Sequence, residues 1–237
     1  DRGSGAIVVW KPSKQFQFAA GYMGENTEFL SSTIAPGFNT SSDPEFGLFG
    51  GTYTATAEAT YSPSENFNLR LLYNRTRIQA IGGVIGGATG EPIYGIADNG
   101  SSAVFDPVTG LVADGGLDAG LADTFGVNFD WLVTRGIGLF GRYTYAKTNL
   151  VPGDGEIEAQ AVQAGVAFPD LGKEGALLTI SYVRPFAILD GRDFLVAGGG
   201  NGGVQYEFEA NYYFPLTDNI ALVPAFYLIA NPNNFSD

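Results

Sequence analysis

The sequence predicts an all-β fold, an antiparallel up-and-down transmembrane β-barrel. Three observations carry this: apolar and polar residues alternate with period two, short and long connections alternate, and aromatic residues gather at segment ends. Residues 52–61 read Thr-Tyr-Thr-Ala-Thr-Ala-Glu-Ala-Thr-Tyr, apolar or aromatic at every odd position and polar at every even one. Residues 204–214 keep the same rule with one slip, at Tyr213. Side chains on a strand point to opposite faces in turn, so each such segment has one greasy face and one wet face.

Alternation places about ten strands, near 5–11, 15–23, 47–61, 66–78, 122–133, 137–147, 157–168, 176–186, 203–214 and 219–229. Five connections are short: Pro12-Ser13-Lys14, Ser62 to Glu65, Thr134-Arg135-Gly136, Pro169 to Gly175 and Pro215 to Asp218. Between them stand four longer ones, 24–46, 79–121, 148–156 and 187–202. Strict alternation of this kind is expected of an outer-membrane barrel, with short turns on one rim and long loops on the other. Trp10, Tyr61, Phe67, Trp131, Phe168 and Phe214 fall near the short turns and predict one aromatic ring. Tyr22, Tyr73, Phe125, Tyr145, Tyr182, Tyr206 and Phe226 lie nearer the long loops and predict a second.

Composition narrows the chemistry. The 237 residues fit one domain, residues 1–237, with a long loop at 79–121. Cysteine and histidine are both absent, so disulfides, Cys- or His-ligated zinc sites and Ser-His-Asp triads cannot form within the chain. That counts against a barrel hydrolase, although a Ser-Lys or paired-carboxylate site stays open. No organic cofactor and no metal site are expected. A net charge of −13 disfavours nucleic acid, which is bound by neutralising phosphates. No apolar run is long enough for a transmembrane helix, whereas a transmembrane strand needs only about 9–11 residues.

The polar faces supply candidate pore-lining residues: Glu58, Asn68, Arg70, Asn128, Asp130, Arg142, Glu207 and Glu209. Carboxylates facing guanidiniums across a passage create a transverse field, and carboxylate rings favour cations. The same groups could instead pair across strands for structural reasons. The long loop, with Asp98, Asp106, Asp114 and Asp118, is the candidate constriction loop, since one long loop of a porin commonly folds into the barrel. The alternative is a surface lid. The run from Gly198 to Gly203 reads as a flexible tip.

With short turns on the periplasmic rim, both ends of the chain fall on the outside. A missing strand is therefore expected before Asp1 and another after Asp237, in a barrel of at least about twelve strands.

Three runs carry a resemblance: Phe125-Gly126-Val127-Asn128-Phe129-Asp130-Trp131, Gly138 to Tyr145, and Ile220 to Asn233 with its Pro-Ala-Phe-Tyr and Asn-Pro-Asn pattern. Together with Tyr53 to Asn74 they resemble cyanobacterial outer-membrane porins of the carbohydrate-selective porin family, often labelled iron uptake porins. The resemblance implies passive diffusion of small ions and polar solutes rather than catalysis. It further implies a barrel of about sixteen strands, a homotrimer, surroundings of outer-membrane lipid and lipopolysaccharide, and an N-terminal S-layer homology domain that reaches the cell wall. Selective uptake of iron or carbohydrate is the alternative of the same class, and a soluble β-sandwich binding module that of another. Most aromatics are expected to face lipid, with Phe140 and Tyr213 as exceptions.

Overall fold

The computed structural model describes residues 2–26, 48–80, 93–94, 104–105, 112–114, 117–153, 155–197 and 200–236. The alternating segments are strands: β1 (Arg2–Trp10), β2 (Phe16–Asn26), β3 (Tyr53–Ser64) and β4 (Phe67–Gln79). Three short strands follow, β5 (Ile93–Tyr94), β6 (Val104–Phe105) and β7 (Val112–Asp114). Then come β8 (Ala119–Thr134), β9 (Ile137–Val151), β10 (Glu156–Pro169) and β11 (Leu177–Asp190). The last are β12 (Leu195–Ala197), β13 (Tyr206–Thr217), β14 (Ile220–Leu222) and β15 (Ala225–Ala230).

Eleven of them form one antiparallel sheet in the order β1-β2-β3-β4-β8-β9-β10-β11-β13-β14, with β15 also on β13. Neighbours in sequence are neighbours in space, so the sheet is an up-and-down meander. All ten predicted strands are present. The tenth is divided into β14 and β15 at Val223-Pro224, where proline has no N–H to give the ladder. Tyr212 donates its N–H to the Pro224 carbonyl there, at 3.0 Å.

The short turns share a local device. Ser64, Thr134 and Thr217 each accept, at 3.3 Å, the N–H two residues on, from Asn66, Gly136 and Asn219 respectively. A hydroxyl in this position closes a tight turn without help from tertiary packing. The strict alternation of connection length fails at one place. The predicted long loop 148–156 is a four-residue turn, because β9 runs on to Val151 and β10 begins at Glu156. Strand continues because Leu150 and Ile157 are buried, each 1% exposed.

The sheet stands alone. Among the described residues, the other ladders are β12 with β5 and β6 with β7. A sandwich requires a second sheet packed about 10 Å away over the apolar face. Instead Leu71, Tyr73, Phe125, Val127, Trp131, Leu139 and Phe208 all stay exposed on that face, which counts against the sandwich alternative. An uncovered apolar face spanning a whole sheet is what a bilayer requires and water does not tolerate.

Register gives the tilt. One unbroken row runs Gln17, Thr60, Arg70, Asn128, Arg142, Gln163, Val183, Glu207. This row lies one residue turnward of the last pair of the first hairpin, Trp10↔Phe18. It lies ten residues from the last pair of the final one, Thr217↔Ile220. The turn rim thus drifts about eleven residues over eight strand intervals, ~1.4 per strand, or about 4.5 Å of stagger for ~4.8 Å of strand spacing. With the turns in one plane, the strands tilt about 40–45°, within the range of barrels.

Val127, 42% exposed at the middle of β8, tests the faces. Val127→Arg should destabilise the bilayer-inserted protein by about 2–4 kcal/mol in reversible refolding into liposomes. Thr144→Lys, on the opposite face of the neighbouring strand, should stay within about 0.5 kcal/mol.

Candidate functional site on the polar face

Residues directly opposite on antiparallel strands share a face. By that rule the pairings place all eight predicted pore-lining residues on one side. Arg70, Asn128, Arg142 and Glu207 lie in the unbroken row. The next row toward the turns runs Asn68, Asp130, Phe140, Gly165, Ser181, Glu209, Tyr227. Glu58 faces Leu72 one row in the other direction. Alternation alone made this legible, because a slip of one residue would have moved a whole strand to the other face.

The charges are not arranged as two bare walls. Arg70 Nη1 donates to Asp130 Oδ1 at 2.6 Å and to Asn128 Oδ1 at 3.1 Å. Asn68 Nδ2 donates to Asp130 Oδ2 at 2.6 Å and itself accepts from Ser62 Oγ at 2.6 Å. This is the cross-strand pairing that the sequence left open, and it leaves the β4–β8 wall close to neutral. Arg142 is exposed, and among the described residues no carboxylate pairs with it. The carboxylates elsewhere meet only neutral donors. Thr60 Oγ1 donates to Glu58 at 3.2 Å, Gln205 Nε2 to Glu207 at 2.6 Å and Asn211 Nδ2 to Glu209 at 2.6 Å. Unneutralised charge therefore concentrates as two carboxylates on β13, with Arg142 three strands away and Glu58 on β3.

Sequence reasoning missed Tyr227. It faces Glu209 across the ladder, and its hydroxyl donates to the Glu207 carboxylate. Pro224 hides it, because the break in the strand obscures which residues alternate. Phe140 and Tyr213 do point to the polar side, opposite Gly165 and Leu177. A Cβ on Gly165 would collide with the Phe140 ring, so the ring lies flat along the wall over that glycine.

The outer face near the long-loop rim carries a second missed feature. Beyond the row Tyr73, Phe125, Tyr145 stands the row Arg75, Asp123, Lys147, Glu158. Arg75 pairs with Asp123, and Lys147 lies 2.7 Å from Glu156 and 3.9 Å from Glu158. Charges alternating in sign directly above aromatic rings mark where the apolar face ends. Below, Trp10 stacks on Phe18 at 5.6 Å and Phe16 on Tyr61 at 4.8 Å, which makes part of the ring predicted for the turn rim.

Of the four constriction-loop aspartates, Asp98 and Asp106 lie outside the described residues. Asp114 ends β7, which pairs with β6. Asp118 stands at the foot of β8, where its N–H donates to the Val151 carbonyl at 2.6 Å and its carbonyl accepts from the Ala80 N–H at 2.8 Å. Asp118 is thus fixed at the rim rather than carried on the loop. The glycine run expected as a flexible tip is tied down at its described end. Asn201 accepts from Ser236 N–H at 2.7 Å, and the Asn234 side chain accepts from Gln205 N–H at 3.0 Å. Asn231, Asn233 and Asn234 have positive φ, which asparagine tolerates, and this gives the Asn-Pro-Asn pattern a physical role.

The Arg70–Asp130 pair is 34% and 48% exposed, so its worth is small. Asp130→Asn should cost under about 1 kcal/mol of stability in liposome refolding. It should also free Arg70 and give the β4–β8 wall a net positive charge.

Over residues 3–237 the chain matches the profile of the "Carbohydrate-selective porin, OprB family". An uncharacterized protein of Nostoc sp. (strain PCC 7120) is 25% identical over 238 residues, covering 99% of this chain and 35% of that protein. An uncharacterized protein of Synechocystis sp. (strain PCC 6803) is 23% identical over 248 residues, covering 97% of this chain and 40% of that protein. The chain therefore spans well under half the length of these curated relatives. No solved structure matches. With its single meander sheet, one wet face and one bare apolar face, the chain belongs to the carbohydrate-selective porin family, a family of channels rather than enzymes.

Proposed function

We propose that this chain is an arc of the wall of an outer-membrane diffusion channel for small inorganic ions and small polar solutes, closed by further strands of the same protein. The observation that supports it best is the unbroken row from Gln17 to Glu207, polar at every position but Val183, backed on the other face by uncovered apolar and aromatic side chains. The wet face becomes the lumen and the greasy face meets lipid and lipopolysaccharide. Trimer formation and attachment to the cell wall through an N-terminal domain belong to the same proposal, on the strength of the family resemblance.

With Arg70 and Asp130 cancelling each other, Glu58, Glu207 and Glu209 outnumber Arg142 on this arc. The channel is therefore weakly cation-selective. A second reading, facilitated passage of carbohydrate, is favoured by Phe140, Tyr213 and Tyr227 on the wet face and by the family's description. Sugars stack on aromatic faces, and a saturable sugar block of ion current would mark that mode.

Single-channel recording of the full-length protein in planar bilayers tests the proposal. Stepwise ohmic openings are expected, with a reversal potential of cation-selective sign under a KCl gradient. Glu207→Gln with Glu209→Gln should lower the cation-to-anion permeability ratio by roughly a factor of two, and Arg142→Gln should raise it. A full-length protein that stays soluble without detergent and never conducts would overturn the proposal.

A further inference from the structure

One arginine stands on the greasy face. The pairings set Val162 opposite both Tyr143 and Arg184, and Ala164 opposite Tyr182. Tyr143 in turn lies opposite Val127, so all of these share the face turned away from the wet row. A bulge begins at Arg184. Between Val162 and Gln160 β10 advances two residues, while β11 advances three, from Arg184 to Ala187. Pro185 falls in the extra step, where a residue without an N–H is tolerated, and a bulge of this kind re-aims the side chain beside it.

Depth follows from the distance to the turn rim. Arg184 is seven residues from Leu177, whereas Lys147 is ten from Ile137 and Glu158 eleven from Pro169. With the turns in one plane and a tilt of about 40–45°, Arg184 lies about 17 Å above the rim and the charged row at about 24–27 Å. The apolar band of such a barrel is about 25 Å tall, so Arg184 stands inside it. The charged row has no anion to spare. Arg75 occupies Asp123, and Lys147 lies between Glu156 and Glu158. Among the described residues no carboxylate pairs with Arg184, and its Nε is buried without a hydrogen-bond acceptor. That burial fixes the root of the guanidinium in the wall, so the group is not free to rise into water, and an unpaired charged donor at this depth is costly. Val183 lies opposite Glu207, which sets Tyr206 beside Arg184 on the next strand. Tyr206 stacks on Tyr182 with centroids 6.3 Å apart, and the two are 42% and 38% exposed.

We propose that Arg184 binds the headgroup of an anionic membrane lipid in the loop-side leaflet, flanked by the rings of Tyr182 and Tyr206. The inference rests on the barrel reading above, and it adds one fixed lipid to a face otherwise wetted by exchanging ones. Charge complementarity selects the occupant. A guanidinium is permanently charged and offers parallel N–H donors that match an oxyanion. A zwitterionic headgroup would bring its own cation to the same place, and the carboxylates above are already taken. Tyrosine rings with one apolar and one polar end suit the depth at which headgroup meets acyl chain.

The test uses the full-length protein, folded into micelles that hold phosphatidylglycerol and phosphatidylcholine of the same acyl chains in equal amounts. Native mass spectrometry should find phosphatidylglycerol retained about fivefold over phosphatidylcholine at low salt. Arg184→Gln should bring the ratio below about twofold, and Arg184→Lys should keep part of it. Arg135→Gln, at the turn rim, should leave it unchanged. Arg184→Gln removes an unpaired charge from the apolar band, so it should fold at least as well as the unmodified protein, checked by circular dichroism. Val162→Glu brings a carboxylate to Arg184 from the opposite strand and should abolish the preference too; it serves where Arg184→Gln does not fold. A folded unmodified protein with no preference overturns the proposal, as does a folded Arg184→Gln or Val162→Glu protein that keeps the preference in full. An Arg184→Gln protein that changes its oligomeric state with the lipid ratio unmoved also overturns it, since another protein chain would then supply the anion. If the unmodified protein inserts into neither micelles nor bilayers, the barrel reading itself fails and the lipid site goes with it.

Discussion

A backbone that crosses hydrocarbon has to satisfy its own hydrogen bonds, and every other feature of this protein follows from that constraint. Water is not there to accept a stray N–H, so each strand must be paired on both sides along its length. The ladder from β2 to β13 does this with antiparallel neighbours throughout, while β1, β14 and β15 are paired on one side among the described residues. Once the backbone is closed in this way, side chains need only sort themselves between two solvents. Away from the long-loop rim, Ala, Val, Leu and aromatic residues go mostly to one face and Thr, Asn, Gln and charged residues mostly to the other, with Phe140, Tyr213 and Tyr227 among the exceptions. No layered core is required, and among the described residues the buried apolar ones are accordingly few and local.

Much of this was readable from the residues because the period of a strand is two. The ten strands, the face on which each candidate residue stands and the aromatic pairs by the short turns all follow from parity and from turn chemistry at Ser64, Thr134 and Thr217. What escaped was information that parity does not contain. Leu150 and Ile157 sit on the wet side at the rim, which breaks the pattern and made 148–156 read as a loop. They are apolar because Phe194 and Leu195 pack on them, and those residues lie some forty positions further along the chain. Tyr227 was hidden by the interruption at Pro224. The partnership of Arg70 with Asp130, rather than of Arg142 with any carboxylate, depends on register across β4, β8 and β9, which no single strand encodes.

The two rims are built on different principles. At the turn rim a hydroxyl and a tight hairpin suffice, and each turn stands by itself. At the loop rim the segments depend on one another: β12 on β5, the Asn231–Asn234 knot on Asn201, and the β9–β10 turn on Phe194. Local rules write the first rim and tertiary contacts write the second. Outer-face charges such as Lys147 with Glu156 and Glu158 belong to the second rim as well, where the apolar requirement lapses and ion pairs can replace it.

The stagger of ~1.4 residues per strand also fixes how wide the finished cylinder becomes. At a tilt of about 43°, each strand occupies about 6.6 Å of circumference rather than ~4.8 Å. Ten strands then make an arc of about 66 Å, and closed on themselves they would give a backbone radius of only about 10.5 Å, a bore that side chains would largely fill. Every further hairpin adds about 2 Å to the radius. The calibre of a ring of this stagger is thus set by how many hairpins complete it, while the two faces that this third of the relatives' length contributes are already written on β3 to β13.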